Sequence, residues 1–239
     1  SRILGENDWR TLGAWNQLGM LLFDQGRAAE AESIFRDNVD RWEKKHGVDH
    51  PGTVMALHNF GSTIIDTRPD QAEALLRRAL AVGQALYGPA NRMTAGSTVA
   101  VGVALHNQGR FRDALPFLER GAESLSAISS PGSAELLAVR INLATTLFAL
   151  TDGAKARRTL DEALAAARPT LGESHPTILE GRQLLSHWLR KEGKLEEAEA
   201  AMRLLDRDTQ QLPAAMPVRV QVLTQLAHLL LEEQKFGEA

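Results

Sequence analysis

The chain of 239 residues has no cysteine, which excludes disulfides and thiolate metal sites. It leaves the compartment open, because a periplasmic repeat domain can also lack cysteine. No run approaches the 18 apolar residues of a membrane span, and no signal-peptide pattern is present at the N-terminus. Charge of one sign is also missing: the formal net charge is -3 and the isoelectric point is near 6.2. That argues against a general polyanion binder, since nucleic-acid footprints usually come with a basic domain. Strand alternation is absent, and no linker interrupts the chain. There is no Gly-rich phosphate loop, no nucleophile motif and no pair of carboxylates with a reason to converge. Gly172-Glu173-Ser174-His175 reads as a loop, so the chain carries no enzymatic signal and calls for no cofactor. Seven histidines are present, and His46 and His50 stand four apart. They straddle a glycine-containing loop, so the helical ligand geometry of a zinc site is not set up. Local hydrogen bonds within the loops are the expected role of His50 and His175.

What the chain has is a period. Ala31, Ala72, Ala114, Ala156, Ala198 and Ala239 recur at 41 or 42 residues, and Gly19, Gly61, Gly102, Ala144, Ser186 and Ala227 repeat the same spacing. Fixed self-similarity in this range marks a repeat architecture. Four residues after each complete alanine mark stands Phe35, Leu76, Leu118, Leu160 or Met202, which places both on one helical face. Each period therefore holds two helices. Small residues at the rulers let the helices of a pair approach closely. Between the rulers lie turn segments, Asp24-Gln25-Gly26-Arg27, Asn107-Gln108-Gly109-Arg110, Thr151-Asp152-Gly153 and Lys191-Glu192-Gly193-Lys194, with glycine where the ending helix needs a left-handed residue. The second repeat uses Asp66-Thr67-Arg68-Pro69, where proline ends a helix.

Trp15, Leu18, Gly19, Ala31 and Phe35 resemble the tetratricopeptide repeat, and later copies keep the small residues and leucines in phase. The usual unit is 34 residues, so about eight extra residues fall at the end of the second helix and in the following loop. Lys45-His46-Gly47-Val48-Asp49-His50-Pro51 and Thr170-Leu171-Gly172-Glu173-Ser174-His175-Pro176-Thr177 resemble the connection of the long, kinesin-light-chain-like repeats. Tyr87-Gly88-Pro89-Ala90-Asn91-Arg92 keeps the phase without His-Pro. In these loops proline presets the first turn of the next helix.

The expected fold is all-α, a right-handed superhelical solenoid of antiparallel helix pairs in a single array over residues 1–239. Residues 1–10 end a preceding repeat, because Leu4-Gly5-Glu6 corresponds to Leu171-Gly172-Glu173. Repeats one to five cover 11–51, 52–93, 94–133, 134–176 and 177–217. Residues 218–239 form a truncated sixth, with Phe236-Gly237-Glu238-Ala239 opening its second helix. This phase implies a segment of a longer protein, whose catalytic domains would lie elsewhere.

A helical-pair solenoid presents a concave surface lined by the first helix of each pair. By phase the groove residues are Asn16, Gln17, Met20 and Asp24, then His58, Asn59, Ser62 and Asp66, then His106, then Asn142 and Thr145, then His187 and Arg190, then Gln225. The resemblance implies that an asparagine just before the apolar-small pair bonds the backbone of a bound peptide, which Asn59 and Asn142 match and Gln17 and Gln225 approach. Amides of this kind either serve a ligand or bond neighbouring helices. Asp24 and Asp66 early, against Arg190 and Lys191 late, place a basic part of a ligand near the first two repeats. Trp15 is expected in the core and Trp42 in packing between pairs.

The implied function is a scaffold that binds a protein or peptide segment, without nucleic acid or membrane insertion. The resemblance further implies the sensor or docking part of a bacterial signalling protein such as a serine/threonine kinase. A regulatory array of a transcriptional activator, binding a ligand or inhibitor, is the alternative. Cytoplasmic placement is expected, with the periplasm open if the array is an extracytoplasmic sensor. Cut repeat ends give a route to self-association.

Overall fold

The computed structural model describes residue 5, residues 8–210 and residues 217–237. Among them are eleven α-helices and no strand: α1 (Trp9–Asp24), α2 (Ala28–His46), α3 (Pro51–Ile64), α4 (Pro69–Tyr87), α5 (Arg92–Asn107), α6 (Phe111–Ile128), α7 (Ala134–Ala149), α8 (Gly153–Leu171), α9 (Pro176–Lys191), α10 (Leu195–Thr209) and α11 (Pro217–Gly237). Two compact units contain them, Ser1–Ser129 with Ala149–Thr151, and Ser130–Phe148 with Asp152–Ala239. In the first unit each helix of α1 to α5 packs on its successor, and α1, α3 and α5 also touch in series. In the second unit α8 packs on α9, α9 on α10, α10 on α11, and α9 on α11. Connections of only three or four residues join most neighbours, which makes them antiparallel.

The two rulers of small residues meet each other. Ala31, Ala72, Ala114, Ala156 and Ala198 are fully buried, and the large side chain one turn later reaches across to the other ruler. A Cβ added to Gly61 would lie 2.6 Å from Leu76 Cγ, closer than carbon atoms can pack. Glycine is therefore required there by the neighbouring helix. In the fifth repeat the same junction is polar, with the Ser186 hydroxyl donating to the Ala198 carbonyl at 3.0 Å.

A third ruler appears at the start of the first helices. Asp8, His50, Asn91, Ser133 and His175 recur at 41 or 42 residues. Each supplies a side-chain acceptor to a backbone N–H of the first turn: Arg10 at 2.9 Å, Gly52 at 3.0 Å, Met93 at 2.8 Å, Leu136 at 3.3 Å and Thr177 at 3.3 Å. These N-caps satisfy donors that the helix itself leaves open. His50 and His175 act through Nδ1, so the expected local bonding of the loop histidines takes the form of capping. Pro51 and Pro176 follow in the first helical turn.

The turns within pairs correct one expectation. Gly26, Gly109 and Gly193 have φ of 77°, 74° and 78°, as the ending helix requires. In the fourth repeat the left-handed residue is Thr151, with φ of 68°, and Gly153 is the first residue of α8 instead. Thr151 holds the phase of the other turn glycines, two positions before Gly153. At the sixth turn that phase falls on Gln234, and α11 runs through it to Gly237 without a break. A residue with a Cβ resists the left-handed region, so nothing local stops the helix. Glu238 and Ala239, like Leu4 and Glu6, lie outside the described residues.

Candidate functional site

Helix geometry assigns one stripe to α1 and another to α3. In α1 it comprises Gly13, Gln17, Met20 and Asp24, and in α3 Met55, Asn59 and Ser62, because positions i, i+4, i+7 and i+11 share a face; Asp66 continues the spacing in the turn just after α3. Gln17, Met20, Asp24 and Asp66 are exposed, while Met55, Asn59 and Ser62 are half-buried. Among the described residues no cation pairs with Asp24 or Asp66. Asp66 accepts from Asn107 Nδ2 at 3.0 Å, and the same amide donates to the Ile65 carbonyl at 3.2 Å.

Asn16 departs from the expected groove. It is only 1% exposed, and its Oδ1 accepts from Asn59 Nδ2 at 2.8 Å. Its own amide nitrogen approaches Met20 Sδ at 4.0 Å. Asn16 therefore joins α1 to α3 rather than offering an amide to a ligand. A buried carboxamide needs a partner, and the adjacent first helix supplies it. His58 is similarly engaged: its Nδ1 lies 3.1 Å from Oγ of the buried Ser97 in α5. Burial lowers the pKa of His58 below the ordinary imidazole value. His106 is half-buried with its ring edge-on to Phe111, the centroids 5.0 Å apart, and burial lowers its pKa too.

In the second unit Asn142 and Thr145 are half-buried on α7, and the Thr145 hydroxyl donates back to the Ile141 carbonyl at 2.8 Å. His187, Arg190 and Gln225 come together around a cavity of about 80 Å³ whose other walls are Ser186, Met202 and Leu229. The pKa of His187 is lowered first by burial, then by the charges of Lys191 and Arg190.

The tryptophans divide. Trp15 is half-buried, not in the core, and the Arg41 guanidinium lies over its ring, 5.4 Å from the centroid. Trp42 is packed, 4% exposed, with its ring seated where a side chain at position 52 would stand. Trp188 is buried and stacks on Phe148 at a centroid distance of 4.6 Å.

Sequence reasoning missed a cavity of about 560 Å³ in the first unit, lined by Trp9, Arg10, Gly13, Trp42, Pro51, Gly52, Met55, Tyr87, Asn91 and Met93. It opens where α1, α3 and α5 begin. Trp9 at 62% and Tyr87 at 39% remain exposed at its edge. The residues come from five separate helices and a loop, so no spacing within one helix announces them. The one available signal was Trp9 standing at the loop-proline position.

Paired helices with a period near 42 residues and a shared first-helix face define an α-helical repeat protein. The tetratricopeptide repeat profile matches residues 10–63 and 135–204, more than half of the chain, and a second profile of the same description matches residues 96–120. The chain belongs to the tetratricopeptide repeat family. A Q17M variant of putative kinesin light chain nearly identical TPR-like repeats from Podosopora anserina is similar with TM-score 0.72 and 18% identity, over 87% of this chain and 97% of that one. BtubC from P. vanneervenii gives TM-score 0.62 and 20% identity over 74% and 69%. A Rap protein complexed with competence and sporulation factor gives TM-score 0.65 and 13% identity over 99% and 66%. No curated protein matches the sequence.

Proposed function

We propose that this chain is a non-catalytic module that binds a protein or peptide segment on the face of its first helices, within a single array over residues 1–239. The observation that carries the reading is the stripe of Gln17, Met20 and Asp24 beside Asn59, Ser62 and Asp66. It combines amides, a thioether and carboxylates at the surface of a continuously packed scaffold. An extended segment carries backbone donors and acceptors that such side chains serve together. The Rap protein similar in fold is bound to competence and sporulation factor, which supports this mode of use. The module acts as the sensor or docking part of a larger bacterial signalling protein, such as a serine/threonine kinase, in the cytoplasm.

The structure directs the test to exposed residues of this face. Gln17 and Met20 are exposed, so Gln17→Lys and Met20→Glu change the surface, and circular dichroism of the double variant checks the helices, since Met20 Sδ lies 4.0 Å from the Asn16 amide nitrogen. Partners captured from a lysate of the source cells on the immobilised chain, and identified by mass spectrometry, should be lost with this double variant. Retention of every partner would move the site off this face.

A further inference from the structure

The cavity at the N-terminal ends of α1, α3 and α5 lies at one end of the proposed binding stripe, and Asp24 and Asp66 lie at the other. Gly13 belongs both to the cavity wall and to the α1 stripe, and Met55 does the same for α3. From Gly13 to Asp24, both in α1, is eleven positions, or about 16 Å at 1.5 Å per residue, and Asp66, in the turn just after α3, stands at the same spacing from Met55. From Trp9 and Pro51 it is fifteen positions, or about 22 Å. An extended chain advances about 3.3 Å per residue. The two ends are therefore bridged by about five to seven residues of a strand-like segment.

The ends differ in chemistry. The cavity walls are Trp9, Trp42, Pro51, Met55, Tyr87 and Met93, with Arg10 the single charged member, and Arg10 is already held by Asp8 at 3.0 Å. Aromatic rings with flexible thioethers accept a bulky apolar side chain of variable shape. The Asn91 Oδ1 of the wall is taken up in capping α5, and most of the remaining wall is apolar or aromatic. At the other end the two carboxylates have no cation among the described residues. They attract a Lys or Arg.

We infer that the bound segment is an extended peptide with an aromatic or large aliphatic anchor in the Trp9–Met55–Met93 cavity and a Lys or Arg five to seven residues away at Asp24 and Asp66. The inference rests on the first-helix face being the binding face and adds which sequence it selects. It also assigns Trp9 and Tyr87, exposed in the free chain, as residues covered on binding.

Random dodecapeptides displayed on phage and panned against the whole chain test it. The selected sequences should pair a Trp, Phe, Leu or Met with a Lys or Arg at the stated separation. Synthetic copies should lose at least tenfold in affinity to Trp9→Ala and to Met55→Glu, and should weaken to Asp24→Asn/Asp66→Asn by a factor that shrinks at high salt. Trp9 is largely exposed, so its replacement reports on binding even if Met55→Glu disturbs folding. Selected peptides that lose affinity to Gln17→Lys/Met20→Glu but bind Trp9→Ala and Met55→Glu unchanged would overturn the anchor cavity and leave the binding face standing. Peptides indifferent to all of these variants, or no enrichment over unselected phage, would overturn both.

Discussion

Asn59 Nδ2 donates to Asn16 Oδ1 at 2.8 Å, joining two residues 43 positions apart on successive first helices. The pair gives each amide a structural partner, so loss of binding on mutating Asn59 would be ambiguous. Asn59→Ala leaves the buried Asn16 oxygen without its donor, which costs about 1–3 kcal/mol. Urea denaturation of Asn59→Ala, Asn16→Ala and the double variant checks this: the two losses should combine to clearly less than their sum.

Asn38 is 1% exposed, and neither its Oδ1 nor its Nδ2 has a partner among the described residues. The equivalent positions in later repeats hold Ala79, Gly121, Ala163 and Leu205. Replacing an unsatisfied buried amide by a small apolar residue removes a desolvation penalty. Asn38→Ala should raise stability by about 1 kcal/mol, read as a higher urea midpoint at unchanged slope. A lower midpoint would show that the amide is satisfied in solution.

Thr151 adopts φ of 68° at a position where three other turns use glycine, and a β-branched residue there is a true outlier. Its hydroxyl donates to the neighbouring Leu150 carbonyl at 2.6 Å, which offsets little of the strain. Thr151→Gly should stabilise by about 1 kcal/mol, with Thr151→Val destabilising as the control.

Several histidines are harder to protonate in the fold than in the unfolded chain. Burial lowers the pKa of His58 and His106, and burial followed by the proximity of His46 lowers that of His50. In the unfolded chain they protonate near pH 6.5, so below that pH the unfolded state binds more protons than the native one. Stability should therefore be flat above neutrality and fall as the pH drops below about 6.5. For His50 the reason is also geometric, since protonation of Nδ1 destroys the acceptor that caps α3. His50→Asn keeps the acceptor, as Asn91 does one repeat later, and should flatten part of the acid-side slope in urea midpoints measured between pH 5.5 and 8. An unchanged slope would assign the acid loss to the other histidines.

Much of the fold is readable from residue spacing because helical register is a local property. Ala31 and Phe35 share a face whatever their surroundings, and a small residue every 41 or 42 positions records a contact repeated in every pair. The N-cap series Asp8, His50, Asn91, Ser133 and His175 emerged only with the structure, because it is the bond to the first turn that singles these residues out among the polar loop residues. The left-handed turn residue was legible only by phase; choosing the nearby Gly153 by residue type gave the wrong position, because phase, and not composition, fixes where the chain must reverse.

The amino-acid order alone determined that the chain forms paired helices of long tetratricopeptide type and which small residues recur in phase where the helices of a pair meet. Only the packed structure decided that Asn16 turns inward to Asn59, that His58 meets Ser97, and that Trp9, Trp42, Met55, Tyr87 and Met93 line one open cavity. The reason is physical. A period fixes angles around one helix, whereas partners on different helices are set by the offset and tilt with which neighbours stack, which the side chains at every contact determine together.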